Sequence, residues 1–247
     1  MNIVCIIPAR YGSSRFEGKP LKLINGKPMI AWVYKQAKKV ERFNEVYVAT
    51  DDERIKSVCL DNDIEVIMTS TKHKTGTDRV GEVARKIKAD VYVNIQGDEP
   101  LIEPDVIEKA IEPFYKNKDL QVTNLMTAIK NPVQAINPTI PKVITNKDNI
   151  GIYLTRSMAP YPKGRLDYKY YKQVCVYGFT PEALEFYCNS ERGKIESIED
   201  IEILRFIESG YKVQYVEVDS DTIAVDTPKD LEEVKKYIDK NNIKFND

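Results

Sequence analysis

Four short stretches of the sequence combine residue types that could do chemistry. The first runs from Pro8 to Pro20 and reads PARYGSSRFEGKP, directly after an apolar segment. Its small residues let backbone N–H groups turn inward, while Arg10, Arg15 and Lys19 supply positive charge, a combination suited to a triphosphate. It carries neither GxxxxGK[ST] nor GxGxxG, so it is not a Walker A loop or a dinucleotide fingerprint. The plain alternative is a basic, Gly/Ser-rich surface loop. The second stretch is Gln96-Gly97-Asp98-Glu99-Pro100, where a carboxylate at a strand end could hold a magnesium that also touches phosphate. Its alternative is an ordinary strand-ending Gly-Asp turn. The third, Val225-Asp226-Thr227-Pro228, reads as a helix start with Asp226 as N-cap and Pro228 in the first turn, or as a second magnesium ligand opposite Asp98. These two readings are compatible. The fourth is Thr75-Gly76-Thr77-Asp78-Arg79, preceded by His73, a helix start whose free N–H groups could meet carbonyl or phosphate oxygens, or simply a capped helix.

Further along, Arg156 closes an apolar segment, and Gln173 to Gly178 forms another. Glu196, Glu199, Glu202 and Arg205 recur at three-residue spacing, which reads as one solvated helix face.

Composition narrows the partners. The chain has 247 residues, 42% hydrophobic and 30% charged, as expected of a globular protein of one large α/β domain, 1–247. Lys+Arg is 37 against Asp+Glu 38, so bulk charge favours neither nucleic acid nor a membrane surface as partner. Cys5, Cys59, Cys175 and Cys188 lie far apart without CxxC spacing, which predicts free thiols in a reducing compartment. One histidine excludes a poly-histidine metal centre and disfavours a Ser-His-Asp triad. No apolar run approaches the roughly 20 residues needed to span a bilayer. The opening MNIVCIIPAR reads as a strand rather than a signal peptide, so a cytoplasmic location is expected.

Periodicity supplies the elements that must position these groups. Strands are predicted at 3–7, 45–50, 64–68, 91–96 and 122–128. They alternate with helices at 28–40, 51–60, 78–88 and 104–115. This rhythm predicts an α/β fold with a doubly wound, mostly parallel sheet, whose ligands sit beyond the carboxyl ends of the strands. The loops after Ile7, Thr50, Met68 and Gln96 therefore form the candidate active edge. After residue 130 the rhythm breaks. The prolines of 131–141 and the Pro/Gly/Tyr-rich 161–171 read as loops flanking strands at 150–155 and 173–179. Approximately 131–180 is thus expected to be a small mixed or antiparallel insertion, of the kind that often forms a dimer contact or a substrate lid. Helices at 181–187 and 197–209, a strand at 213–218 and a helix at 228–240 complete the chain.

Taken together the motifs resemble those of the 3-deoxy-manno-octulosonate (Kdo) cytidylyltransferases, or CMP-Kdo synthetases. IIPARYGSSRFEGKPL, INGKPMI, VATDDERI, MTS…H…TGTDR, VNIQGDEPLI, PKV, YLTRSMAPYP and VDTP fall in that family's order. CMP-sialic acid synthetases, which open more like ARGGSKR…KN, fit less well.

The resemblance implies a usually dimeric fold of nucleotidyltransferase type and the substrates CTP and an acidic 2-keto sugar. Ala9, Arg10, Ser13, Arg15 and Lys19 would cradle the phosphates, and Thr75, Gly76, Thr77 and Gln96 the cytidine. Asp98 and Asp226 would hold Mg2+, with Lys19 beside them in catalysis. Arg156 would meet the sugar carboxylate, with Gln173, Tyr177 and Glu202 nearby. The anomeric hydroxyl would attack the α-phosphorus and pyrophosphate would leave in line. In the segments expected to meet the sugar, three positions depart from the family pattern: Gln173 replaces a histidine, Cys175 a glycine and Ile203 a glutamine. Losing that glutamine is expected to remove a polar group facing the sugar, which changes selectivity. Glu17 replaces a proline. An 8-amino Kdo, another ulosonate or a phosphonate remains open as acceptor, as does a non-catalytic nucleotide-binding role. The missing glycine fingerprint weighs against an NAD-dependent oxidoreductase.

Overall fold

The computed structural model describes residues 1–12, 15–164, 168–220 and 223–245. In chain order the strands and helices begin with β1 (Ile3–Ala9), β2 (Leu23–Ile24), β3 (Lys27–Pro28), α1 (Met29–Lys38), β4 (Glu45–Thr50), α2 (Glu53–Leu60) and β5 (Val66–Met68). Then come α3 (Gly76–Lys86), β6 (Val91–Ile95), α4 (Pro104–Lys109), α5 (Glu112–Lys116), β7 (Val122–Ala128), α6 (Pro132–Ile136), β8 (Lys142–Thr145), β9 (Gly151–Thr155) and β10 (Tyr171–Phe179). The chain closes with α7 (Pro181–Asn189), α8 (Lys194–Glu199), α9 (Leu204–Glu208), β11 (Val213–Val218) and α10 (Pro228–Lys240).

The main sheet runs β11-β7-β10-β6-β1-β4-β5. β1 lies inside it, between β6 and β4, because its apolar run can be covered on both faces. Ile3, Cys5 and Ile7 enter one core with α1, α2, α4 and α5, while Val4 and Ile6 enter the other with α3, α7 and α9. β1 pairs in parallel with β4 on one side and β6 on the other. The chain winds outward through β4 and β5 and then returns across β1 to β6. The order therefore reverses between β1 and β6, and the loops after Ala9 and Ile95 open into that crevice.

β10 runs antiparallel between β6 and β7. The last strand of the stretch 131–180 thus lies inside the main sheet, and only β8 and β9 stand off it. A third apolar cluster packs Ile24, Met29 and Trp32 against Val225, Leu231, Val234 and Ile238 of the C-terminal segment. The β2–β3 hairpin feeds it. Its Asn25-Gly26 turn has φ of 46° and 82°, the pair of positive values that a two-residue hairpin turn requires and that Asn-Gly tolerates. This cluster anchors the start of α10 beside the first loop.

Several boundaries differ from expectation for local reasons. The helix expected at 104–115 is two helices, because Pro113 lacks an N–H and its ring conflicts with continuing the helix. The stretch 131–141 contains α6, capped by the Asn131 side chain with Pro132 in its first turn, and β8 follows where no strand was expected. The helix expected at 197–209 starts earlier and breaks at Asp200, whose φ is 52°. Asp226 is not the N-cap of α10. Thr227 is, in a reciprocal capping box with Asp230.

Candidate active site

The cleft at the strand crossover is lined by Pro8, Ala9, Arg10, Arg15, Lys19, Pro20, Gln96, Gly97, Asp98 and Asp226, residues far apart in sequence. Its volume is about 150 Å³, smaller than the 300 Å³ or more of pockets that engulf a drug-sized ligand, so it suits the phosphate end of a nucleotide. Of the positions expected to cradle phosphate, Ser13 lies outside the described residues. The described parts of the loop are tied to each other and to α2. Gly18 N–H donates to Tyr11 O at 2.9 Å, and the Arg54 guanidinium lies 3.3 Å from the centroid of the Tyr11 ring. The 3-10 turn Lys19–Leu21 then presents the Lys19 ammonium to the floor of the cleft.

On that floor Lys19 Nζ donates to Asp98 Oδ2 at 2.8 Å and to Asp226 Oδ1 at 3.3 Å. Arg15 engages both Asp226 oxygens, at 3.0 and 3.1 Å. Val225 N–H donates to Asp98 O at 2.8 Å, so the backbone itself joins the two acidic segments. Asp98 and Asp226 thus converge under the basic loop. Among the described residues no group of three or more His, Cys, Asp or Glu side chains converges on a metal-sized position. Two carboxylates are nevertheless the usual protein share of a magnesium site completed by phosphate and water. Both are hard oxygen donors, and a cation already bridges them, so these residues fit magnesium.

The start of α3 borders the same cleft. A Cβ on Gly76 would lie 3.2 Å from both Gln96 Nε2 and Pro8 Cγ, which explains a glycine here. Thr75 forms a reciprocal capping box with Asp78. The first free amides are already engaged: Glu202 accepts from Gly76 N, Thr77 N and Thr77 Oγ1 at 3.2, 3.0 and 2.6 Å. Arg79 is buried and donates to Thr69 Oγ1 and Asp51 Oδ2, tying α3 to the ends of β4 and β5.

Comparison with known proteins accords with this geometry. A family model described as cytidylyltransferase matches residues 4–217. A 3-deoxy-manno-octulosonate cytidylyltransferase of Fusobacterium nucleatum is 44% identical over 99% of this chain and all of its own length. The chain belongs to the 3-deoxy-manno-octulosonate cytidylyltransferase family. An 8-amino-3,8-dideoxy-manno-octulosonate cytidylyltransferase of Shewanella baltica is 37% identical over 96% of this chain and 99% of its own. A solved CMP:2-keto-3-deoxy-manno-octonic acid synthetase complexed with CTP superposes with a TM-score of 0.93 at 38% identity, covering 98% of this chain and 100% of that one. The protein is accordingly a nucleotidyltransferase, with the α/β fold that the strand-helix rhythm predicts. No helix among the described residues is long and apolar enough to cross a membrane.

The positions expected to meet the acceptor are built differently in this cytidylyltransferase from the sequence expectation. Glu196, Glu199, Glu202 and Arg205 do not form a solvated face, because the break at Asp200 lets Glu196 and Arg205 pair with each other while Glu199 and Glu202 turn toward different partners. Glu196 is fully buried against Arg205, with N···O distances of 2.8 Å. Glu199 accepts from Tyr153 Oη, Thr155 Oγ1 and Arg156 N. Burial opposes its charged form, but these donors outweigh burial and hold its carboxyl below the usual range. Glu202 reaches the start of α3. The Arg156 guanidinium donates to backbone carbonyls of Pro138, Thr139, Glu199 and Asp200. Those partners are neutral, so they orient its charge without cancelling it.

Gln173 Nε2 donates to Asn124 Oδ1, whose own Nδ2 holds the carbonyls of Val174 and Val176 across a register shift in β10. Cys175 sits in that irregularity, where burial pushes its thiol up. Tyr177 is buried in the α3–α7 core, and burial likewise pushes its hydroxyl up. Ile203 is 1% exposed and packs in the same core, so its replacement of a polar residue faces packed side chains rather than open cleft.

Two contributors escaped the sequence reading. Lys142, fully buried, donates to Asn137 O and Arg156 O, and burial lowers its pKa. Its position in the PKV motif was the available signal. Glu199 was visible only as one of a series of evenly spaced acids.

Proposed function

We propose that the protein transfers the cytidylyl group of CTP to 3-deoxy-manno-octulosonate, giving the CMP-sugar and pyrophosphate. The observation that carries this reading is the convergence of Asp98 and Asp226 on Lys19 beneath the Arg10–Arg15 loop. It occurs in a chain that aligns over nearly its whole length with a synthetase complexed with CTP.

The roles follow from charge and position. Arg10, Arg15 and Lys19 neutralise the phosphates and the departing pyrophosphate. Ala9, Gln96 and Thr75 to Thr77 border the cleft where ribose and base extend from the triphosphate. Arg156 offers an oriented guanidinium to the sugar carboxylate. Asp98 and Asp226 would hold Mg2+, which when bound would supply charge neutralisation for the phosphates and for the attacking hydroxyl. Fixing the acceptor in line with the α-phosphorus provides the remainder by positioning.

An 8-amino acceptor is the second reading, favoured by the Shewanella baltica relative. We further propose a homodimer. It is supported by the exposure of Ile152 on β9 and of Ile195 and Ile198 on α8, large apolar side chains that a second copy could cover. A cytoplasmic setting fits the four free thiols.

Pyrophosphate release is measured with CTP and Mg2+ against Kdo, 8-amino Kdo and no acceptor. Release that requires Kdo is the expected result. Preference for the amino sugar moves the assignment to the second reading, and CTP binding without turnover on any 2-keto sugar acid defeats both.

A further inference from the structure

Every negative charge on the floor of the cleft already has a protein cation. Lys19 Nζ lies 2.8 Å from Asp98 Oδ2 and 3.3 Å from Asp226 Oδ1, and Arg15 takes both oxygens of Asp226 from another side. The Lys19 and Asp98 side chains are only 17% and 24% exposed, so this ion pair is shielded from water more than an ordinary surface pair.

We propose that Lys19 is a stand-in cation. In the nucleotide-free protein its ammonium holds Asp98 and Asp226 together and excludes a divalent ion, and it yields that position when a triphosphate offers it other oxygens. The inference rests on the metal role proposed above for the two aspartates.

The reasoning is electrostatic. Two carboxylates held together by the Val225–Asp98 backbone bond repel unless a cation lies between them. An ammonium can bridge them because it has several donors on one small charge. A divalent ion arriving alone must break that pair and leave Lys19 as a like charge beside it in a partly shielded cleft. A triphosphate removes both obstacles, since it draws the ammonium to phosphate oxygens and adds ligands for the metal. Metal and nucleotide therefore bind with positive coupling, and each strengthens the other by the same factor.

The test uses Mn2+ alone as the probe, titrated without nucleotide into the full-length protein and followed by electron paramagnetic resonance. The proteins compared are wild type, Lys19→Met, Lys19→Gln, Lys19→Met/Asp98→Asn and Arg10→Gln, each checked for native circular dichroism. The expected result is weak binding to wild type and at least tenfold tighter binding to both single Lys19 variants. The gain is lost in the double variant and absent in Arg10→Gln. The proposal is overturned if folded Lys19 variants bind Mn2+ no tighter than wild type. It is equally overturned if Arg10→Gln, which removes a cleft charge not bonded to the aspartates, tightens binding as much. Wild-type turnover with CTP and sugar is read separately, so an inactive protein defeats the functional reading and an unchanged Mn2+ affinity defeats only this one.

Discussion

The backbone N–H of Val225 donates to the carbonyl oxygen of Asp98 at 2.8 Å, and this one bond brings the segment before α10 against the loop after β6. The carboxylates of Asp98 and Asp226 are thereby set on either side of Lys19. Because they act as a unit, Asp98→Asn and Asp226→Asn should each reduce kcat by about 100-fold or more, and the double variant should be little worse than either single one. Melting temperatures should stay within a few degrees of wild type. Multiplicative losses in the double variant would show that the two groups work independently.

Glu202 ties the turn between α8 and α9 to the start of α3 through Gly76 N, Thr77 N and Thr77 Oγ1. Glu202→Ala releases the start of α3, and with the cytidine role proposed above for Thr75 to Thr77 the loss of charge-assisted bonds predicts a KM for CTP raised about tenfold. Glu202→Gln, which can still accept hydrogen bonds, should recover part of that. A change confined to the sugar KM would return Glu202 to the acceptor side.

Arg156 is held by four backbone carbonyls from two segments. Arg156→Ala should raise the KM for the acidic sugar by about tenfold or more while leaving CTP binding near wild type. Arg156→Lys should not restore it, because an ammonium lacks the planar fork that spans these carbonyls. Calorimetric titration of CTP is the control. A matching loss there would contradict the assignment.

Glu82 gives a pH dependence remote from the cleft. Burial opposes its charged form, but hydrogen bonds from Lys86, Ser70 N and His73 outweigh it and lower its pKa from 4.5 to about 2. Its folded value lies below its unfolded one. The stabilisation is therefore complete above about pH 4.5 and fades as pH falls toward about 2. Glu82→Gln should cost about 2 kcal/mol near neutrality, allowing for its 20% exposure, and progressively less in acid. Urea melts across that range measure it. A pH-independent difference would mean that the carboxylate charge contributes nothing.

Much of the fold was written locally. The continuous apolar run of β1 required cover on both faces, Asn25-Gly26 specified a hairpin turn, and Thr75 with Asp78 capped a helix. Such features depend on neighbours a few residues away, so the sequence by itself determined the strand-helix rhythm, the basic first loop and the acidic strand end at Asp98. Tertiary structure decided what had no local signal. Strand pairing placed β10 antiparallel in the middle of the sheet, and packing sent Ile203 and Tyr177 into a core. Evenly spaced Glu196, Glu199 and Glu202 acquired different partners once Asp200 turned the helix. Lys19 met two aspartates from distant segments only because the third apolar cluster and a single backbone bond closed the chain upon itself. Spacing encodes the periodicity of an element, but a long-range contact is fixed by which buried faces pack together, and only the folded chain specifies that.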